Sequence, residues 1–321
     1  MKAAKGKSRK YLLVVIFSLL VFGVGFGGLA MFRPSQNKLV SPEPSLPDDF
    51  SLVVLPDTQV YSRDFPEIFS KQAQWIVDHR EENKIVFVSH LGDITDSWDD
   101  ESEWKNADQA LGLLDPVVAY GLLPGNHDDP QAFNQFFPAG RFEKKSWYGG
   151  HYNQDYSNNY QLISVGSLDF LILHLENEPG GKVLKWADQV LKKYQSRRAI
   201  VATHYFLDYD GIRSPVGQRI FKALSDNDNL FLILSGHIYT EVKRTDLVNN
   251  RPIHQLLADY QIRPNGGNGW LRILKFVPGE NKIYVSTYSP WLDQYETDEN
   301  SQFVLKYQMT RKIDVKRKLM P

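Results

Sequence analysis

Gly92-Asp93-Ile94-Thr95-Asp96 and Gly125-Asn126-His127-Asp128 each follow closely on an apolar run, Ile85–Val88 in the first case and Val117–Leu123 in the second. Short runs of Val, Ile and Leu that stop at Gly, Asn or Asp read as buried strands ending in turns. Outward from this pair the arrangement recurs. Ser51–Leu55 ends in Pro56-Asp57-Thr58-Gln59, Ala199–Ala202 in Thr203-His204, and Leu230–Leu234 in Gly236-His237-Ile238-Tyr239. Phe65–Arg80 and Glu103–Leu114 carry helical spacing between the early strands. Tyr160–Val165 and Phe170–Leu175 read as a hairpin, and Lys182–Tyr194 as a helix. Ile253–Leu257, Leu271–Val277 and Ile283–Tyr288 read as later strands. Strand–helix alternation followed by strand runs predicts one α/β domain, residues 50–308, with two packed mixed β-sheets flanked by helices.

Ligands of open α/β sheets bind in the crevice beyond the carboxyl ends of the strands. Five strand ends here deliver Asp57, Asp93, Asn126, His204 and His237 to such a crevice. Taken singly, each fragment is ordinary turn chemistry, because Gly accepts positive φ and Asp bonds its own backbone. Their joint placement, each close after a β run, is the signal.

This order of motifs resembles the calcineurin-like metallophosphoesterase superfamily, over roughly Leu52 to Tyr239, with the segment to about Tyr307 completing the second sheet. Within it the chain looks like the branch with Pro-Asp-Thr-Gln at the first motif. The resemblance implies two divalent metal ions (Mn, Fe, Zn or Mg) ~3.5–4 Å apart, with Asp93 bridging them. Asn126, His204 and His237 would complete the second site, and Asp57 would belong to the first. His127, held by Asp96, would face the leaving group as general acid. A metal-bridging hydroxide would attack phosphorus. With Asp57 and Asp93 the cluster keeps a charge of about +1, attractive to a phosphoryl group.

Two positions depart from the pattern, and both touch the first ion. Gln59 stands where the family usually has His, and Tyr239 where the last His of G-H-x-H belongs. An amide oxygen suits Mg²⁺, Mn²⁺ or Ca²⁺ better than zinc, and a phenol ligates poorly until ionised, at a pKa of ~10. The expectation is a second site tighter than the first. His90, His79, His151, His174 and His254 read as structural. Tyr61, Trp98, Trp147, Tyr148, Tyr205, Tyr209 and Tyr260 are candidates for an aromatic rim, with Tyr205 and Arg263 the named substrate contacts. Arg263 opens a glycine-rich stretch, 263–270, that either faces phosphate or simply turns the chain.

Composition narrows the chemistry. The 321 residues contain no Cys, which excludes disulfides, Cys-ligated zinc, iron–sulfur clusters, thiol nucleophiles and a lipoprotein anchor. Seven of the 37 Lys and Arg lie in residues 1–38, which hold no acid, so the remainder carries a net charge of −8. An acidic body speaks against nucleic acid as partner, and no obligate protein partner is inferred. After a basic segment, 1–10, the uncharged run Tyr11–Phe32 would reach ~33 Å as a helix, enough for a hydrocarbon core of ~30 Å. It reads as a transmembrane helix with a cytoplasmic N-terminus and an extracytoplasmic domain. A cleaved signal, giving a secreted protein, is the alternative, although such apolar regions are usually ~7–15 residues long. Residues 33–49 form a Pro-rich linker, and 309–321 a basic tail.

The leading function is a tethered phosphoesterase acting on a phosphomonoester or phosphodiester. Ser97 follows Gly-Asp-x-x-Asp where the superfamily's protein phosphatases carry Arg, which argues against phosphoproteins. The alternative is a one-metal, catalytically weak pseudoenzyme that binds phosphate-bearing or cell-wall ligands.

Overall fold

The computed structural model describes residues 46–310. The first half runs β1 (Phe50–Leu55), α1 (Gln59–Asp64), α2 (Pro66–Asp78), β2 (Ile85–His90), α3 (Glu101–Gly112), β3 (Ala119–Gly121), α4 (Pro130–Phe136) and β4 (Tyr148–His151). It continues through β5 (Asn159–Val165), β6 (Leu168–Leu175), α5 (Gly181–Lys193), β7 (Arg198–Thr203), α6 (Pro215–Leu224), β8 (Leu230–Ser235), β9 (Glu241–Val248) and β10 (Arg251–Ala258). The short α7 (Pro264–Gly267) and the strands β11 (Leu271–Val277), β12 (Lys282–Ser289), β13 (Gln294–Glu296) and β14 (Phe303–Lys306) complete it.

Two seven-stranded mixed sheets result, as the alternation predicts. One has the order β13-β12-β11-β1-β2-β3, with β14 beside β12, and the other β4-β5-β6-β7-β8-β10-β9. β1, β2 and β3 run parallel, and so do β6, β7, β8 and β10. Alternation along β1 builds both faces. Leu52 and Val54 enter the core between the sheets with Phe170, Ile172, Ile200 and Leu232. Val53 and Leu55 pack outward with Ile68, Phe69 and Ala107 of α2 and α3. On the other sheet Leu171, Leu173 and Leu175 meet Leu184, Leu191, Ile220 and Leu224 of α5 and α6. Strands covered on both faces read as continuous apolar runs, which is why they are visible in the sequence.

Some expectations shift. Val117–Leu123 yields only the three residues of β3, because the chain leaves the sheet after Gly121. There a Cβ would lie 2.2 Å from the His174 ring. α1 is an added helix. Its six residues, with Val60 and Tyr61 adjacent, are too few to show an apolar stripe, and the break at Phe65 before Pro66 separates it from α2. β9, whose exposed positions are Lys243, Thr245 and Leu247, forms the edge of the second sheet. Met309 is buried and its N–H donates to Asn281, so the packed body extends past residue 308. Among the described residues no helix is long and apolar enough to cross a membrane. The expected anchor at 11–32 lies outside them, as do residues 33–45 of the linker and 311–321 of the tail.

The expected structural histidines hold the sheets together from within. His174 bonds Ser89 at 2.9 Å, and His90 bonds Thr58 at 2.9 Å while accepting from the Gly92 N–H at 3.1 Å. Burial pushes both imidazoles down to about 3, with His204 adding repulsion at His90 and His90 adding it at His174. Below pH ~6.5 the unfolded chain protonates these groups while the folded chain does not, so stability falls as the pH drops. His174→Gln removes that dependence at one site. The stability advantage of the unmodified chain over His174→Gln should shrink by about 2 kcal/mol between pH 7 and 5, measured by urea melts. An advantage that stays constant across that window refutes the neutral buried imidazole.

Candidate metal centre

The parallel strand ends deliver the predicted side chains to one cleft. Asp57 follows β1, Asp93 follows β2, Asn126 follows β3, His204 follows β7 and His237 follows β8. Asp57, Asp93 and His204 form a buried floor, His127 and His237 are half-buried, and Asn126 is exposed at the opening. Asp93 and His237 adopt φ of 49° and 72°. Left-handed backbone at two non-glycine residues is a cost of the kind found where a site demands it. Gly125 and Gly236 allow the loops to close on the carboxylates: a Cβ at Gly125 would sit 2.0 Å from Asp93 Oδ1, and one at Gly236 2.1 Å from Asp57 Oδ1.

His204 defines the chemistry of the centre. Its Nδ1–H donates to the Leu91 carbonyl at 2.9 Å, which turns Nε2 into the cleft. Around that Nε2 lie Asn126 Oδ1 at 2.9 Å, His237 Nδ1 at 3.1 Å and Asp93 Oδ1 at 3.3 Å. One proton cannot satisfy three acceptors, whereas a cation among these four lone pairs does. The donor set therefore fits a divalent ion. Without an ion, burial works against charge on His204, but Asp93 and Asp57 outweigh it and raise the imidazole to about 10. His237 is lowered to about 4 by burial and by His204, so it presents a neutral ring. Burial raises the Asp57 carboxyl, with repulsion from Asp259 next and attraction from His204 opposing. The His237 N–H donates to Asp57 at 3.1 Å.

Gln59 begins α1. Its Nε2 donates to Asp96 Oδ1 at 3.2 Å, while its Oε1 is buried with no hydrogen-bond partner. That oxygen is available to an ion. Tyr239, expected beside the first ion, is 43% exposed at the rim. Burial of its hydroxyl and repulsion from Asp259, Tyr209, Asp57 and Asp93 raise the phenol.

The expected His127–Asp96 dyad takes another form. His127 Nδ1 bonds the Asp96 backbone carbonyl at 2.8 Å, and the carboxylate Oδ1 lies 3.7 Å away. Arg63 and Gln59 hold that carboxylate instead, at 2.5 and 3.2 Å. The carbonyl still fixes the tautomer, so Nδ1 carries a proton and Nε2 faces outward. The His127 N–H donates to Asp93 Oδ1 at 2.9 Å, locking the second motif onto the first.

Arg263 is engaged by carboxylates. It pairs with Glu296 at 2.6 Å and Glu241 at 3.6 Å and lies over the Tyr260 ring. Glu241, Glu296 and Asp298 come together around Ser301, with Arg272 at 2.5 Å from Glu241. Two guanidiniums and the Tyr260 and Thr287 hydroxyls satisfy Glu241, a structural node. The aromatic rim thins as well. Tyr61 and Tyr260 are buried and Trp147 and Tyr148 pack on the core, which leaves Trp98, Tyr205 and Tyr209. The Tyr205 ring is 4.5 Å from that of His237.

Three contributors were not singled out from sequence. Asp128 accepts from the N–H groups of Ile94, Thr95 and Gly125 at 2.9 to 3.0 Å, clamping two motif loops together. Its place in Gly-Asn-His-Asp was the available signal. Arg63 rides on the unforeseen helix α1. Asp259 follows the strand read at Ile253–Leu257, the same signature as the other five.

Two mixed sheets with carboxylates and imidazoles converging at parallel strand ends make a candidate centre for divalent metal. The chain matches the calcineurin-like phosphoesterase family over residues 50–241 and belongs to it. The uncharacterized protein YvnB of Bacillus subtilis (strain 168) is 39% identical over 282 residues, 82% of this chain, and the chain spans 22% of that protein's length. A probable cyclic nucleotide phosphodiesterase of Colwellia psychrerythraea is 22% identical over 181 residues, 55% of this chain and 64% of that one. A dimetal phosphatase from Danio rerio superposes with a TM-score of 0.56 at 11% identity, covering 83% of this chain and 100% of that chain, a likeness of fold.

Proposed function

We propose that the chain hydrolyses a phosphomonoester or phosphodiester with two divalent ions, in a domain held outside the cytoplasm by the apolar segment 11–32. The observation that carries this is the His204 Nε2 atom, facing Asp93, Asn126 and His237 within 3.3 Å. Asp93, Asn126, His204 and His237 would hold the second ion, and Asp57, Gln59 and Asp93 the first. When bound, such ions supply positive charge at the phosphoryl oxygens and a water acidified enough to attack phosphorus.

The chain's own groups supply the rest. His127, its Nδ1–H held by the Asp96 carbonyl, hands a proton from Nε2 to the departing ester oxygen as the P–O bond breaks. The Asp93 loop is braced by Asp128. Tyr205, beside His237, and the exposed Trp98 offer faces for an organic group on the ester. The name of the Colwellia relative supports including phosphodiesters.

The test uses the full-length chain in mild detergent, with Mn²⁺, on bis-p-nitrophenyl phosphate, p-nitrophenyl phosphate and a cyclic nucleotide. Turnover that disappears with chelator and returns with Mn²⁺ is expected. The exposure of Tyr239 favours a second reading, a weak one-metal binder of phosphate-bearing or cell-wall ligands. One bound ion with no turnover across Mg²⁺, Mn²⁺, Zn²⁺ and Fe²⁺ would select it. Protease accessibility of the domain on intact cells tests the tethering.

A further inference from the structure

Glu103 occupies the third helical position of α3, three residues after the N-cap Asp100. Local chemistry would make this a capping box, in which a Glu at that position reaches back to the N–H of the cap residue. The structure gives it other work. Glu103 Oε2 accepts from the Asp96 N–H at 2.6 Å and from the Ser97 N–H at 3.0 Å. The N–H of Asp100 donates to the Ser97 carbonyl at 3.0 Å. Glu103 is 3% exposed, a buried carboxylate turned toward the loop between β2 and α3.

The Ser97 N–H belongs to the peptide unit that joins Asp96 to Ser97. The Asp96 carbonyl of that same unit is the group that His127 Nδ1 bonds at 2.8 Å. A trans peptide unit is planar, with its N–H and C=O on opposite edges. A bond that pins the N–H therefore aims the carbonyl. The contacts run in series from Glu103 Oε2 to the Ser97 N–H, and from the Asp96 C=O to the His127 Nδ1–H. Arg63 and Gln59 hold the Asp96 side chain, which rotates about its own bonds and does not set that plane.

We infer that Glu103 is a positioning residue for His127, holding the Asp96–Ser97 peptide so that the imidazole presents Nε2 to the departing ester oxygen. This rests on the reading of His127 as general acid above. The demand is for an oxygen at that reach, because a single oxygen of Glu103 accepts both bonds. Glu103→Gln meets it with its amide oxygen. Glu103→Asp falls one carbon short, and Glu103→Ala leaves both N–H groups without this partner.

Full-length protein in mild detergent with Mn²⁺ is assayed on the p-nitrophenyl and butyl esters of phosphate, as monoesters and as diesters, with metal content read by elemental analysis. Glu103→Ala is expected to keep the metal content of the unmodified chain. Its kcat on butyl esters falls at least ~10-fold, part of the ~10²–10⁴ that a general acid supplies. Turnover of p-nitrophenyl esters, whose anion leaves without a proton, changes less than ~3-fold, as does KM for either series. Glu103→Asp shows the same split, which serves where the alanine variant does not fold, and Glu103→Gln recovers most of the lost turnover. Added to His127→Ala, Glu103→Ala costs nothing further, since no ring is left to position. Equal slowing of both ester series by Glu103→Ala and Glu103→Asp, metal loss, no recovery with Gln, or an additive loss on top of His127→Ala overturns the inference alone. An unmodified chain that turns over no butyl ester, or a His127→Ala variant that slows both series equally, overturns it together with the acid reading.

Discussion

Asp93→Asn should strip the protein of metal and reduce turnover by ~10³-fold or more, the several kcal/mol of charge stabilisation that bound ions supply. Asp93 lies within 3.3 Å of His204 Nε2, and its Oδ1 also accepts the His127 N–H. An amide of the same shape retains an oxygen for that N–H, and Asn tolerates the left-handed backbone at this position. The fold therefore survives, and what disappears is one negative charge shared by both proposed ion sites. Elemental analysis and bis-p-nitrophenyl phosphate turnover on the same preparation read the two losses together. Full metal content in Asp93→Asn would remove the bridging role.

His127→Ala should do the opposite with metal. Both ions stay, because the imidazole bonds only the Asp96 carbonyl and makes none of the contacts around His204 Nε2. Turnover falls by ~10²–10⁴, the usual loss for a general acid. The loss should be smallest for esters of p-nitrophenol, whose anion leaves without a proton, and largest for alkyl esters. Equal slowing across that series, or metal loss matching Asp93→Asn, contradicts the assignment. Asp96 exerts its influence here through its carbonyl, since Arg63 and Gln59 draw the carboxylate away.

Strand ends are legible in sequence because strands covered on both faces are continuous apolar runs, and the polar residues that follow mark where each stops. That rule reaches Asp57, Asp93, Asn126, His204 and His237 without coordinates. Applied to Ile253–Leu257, it also reaches Asp259, which belongs to none of the motifs that drew the reading to the other five. α1 escaped because its six residues before Phe65-Pro66, with Val60 and Tyr61 adjacent, are too few to show an apolar period, and with it went Arg63.

Arg263 shows a different limit. A guanidinium beside a glycine-rich turn is equally suited to a phosphate or to a carboxylate, and the partners that decide, Glu241 and Glu296, come from distant strands. The same holds for the rim: Tyr61 and Tyr260 sit among polar residues in the chain yet are buried in the fold.

By itself, then, the sequence determines the two-sheet architecture, the family and the main set of metal-binding candidates, because burial and turn chemistry are local properties of short segments. Only the tertiary structure decides which lone pairs converge. It turns Asp96 toward Arg63, leaves Tyr239 at the surface and fastens the chain after β10 to the Thr240 carbonyl. Those outcomes depend on the register between parallel neighbours, where β10 runs level with β8, and no single segment encodes that alignment.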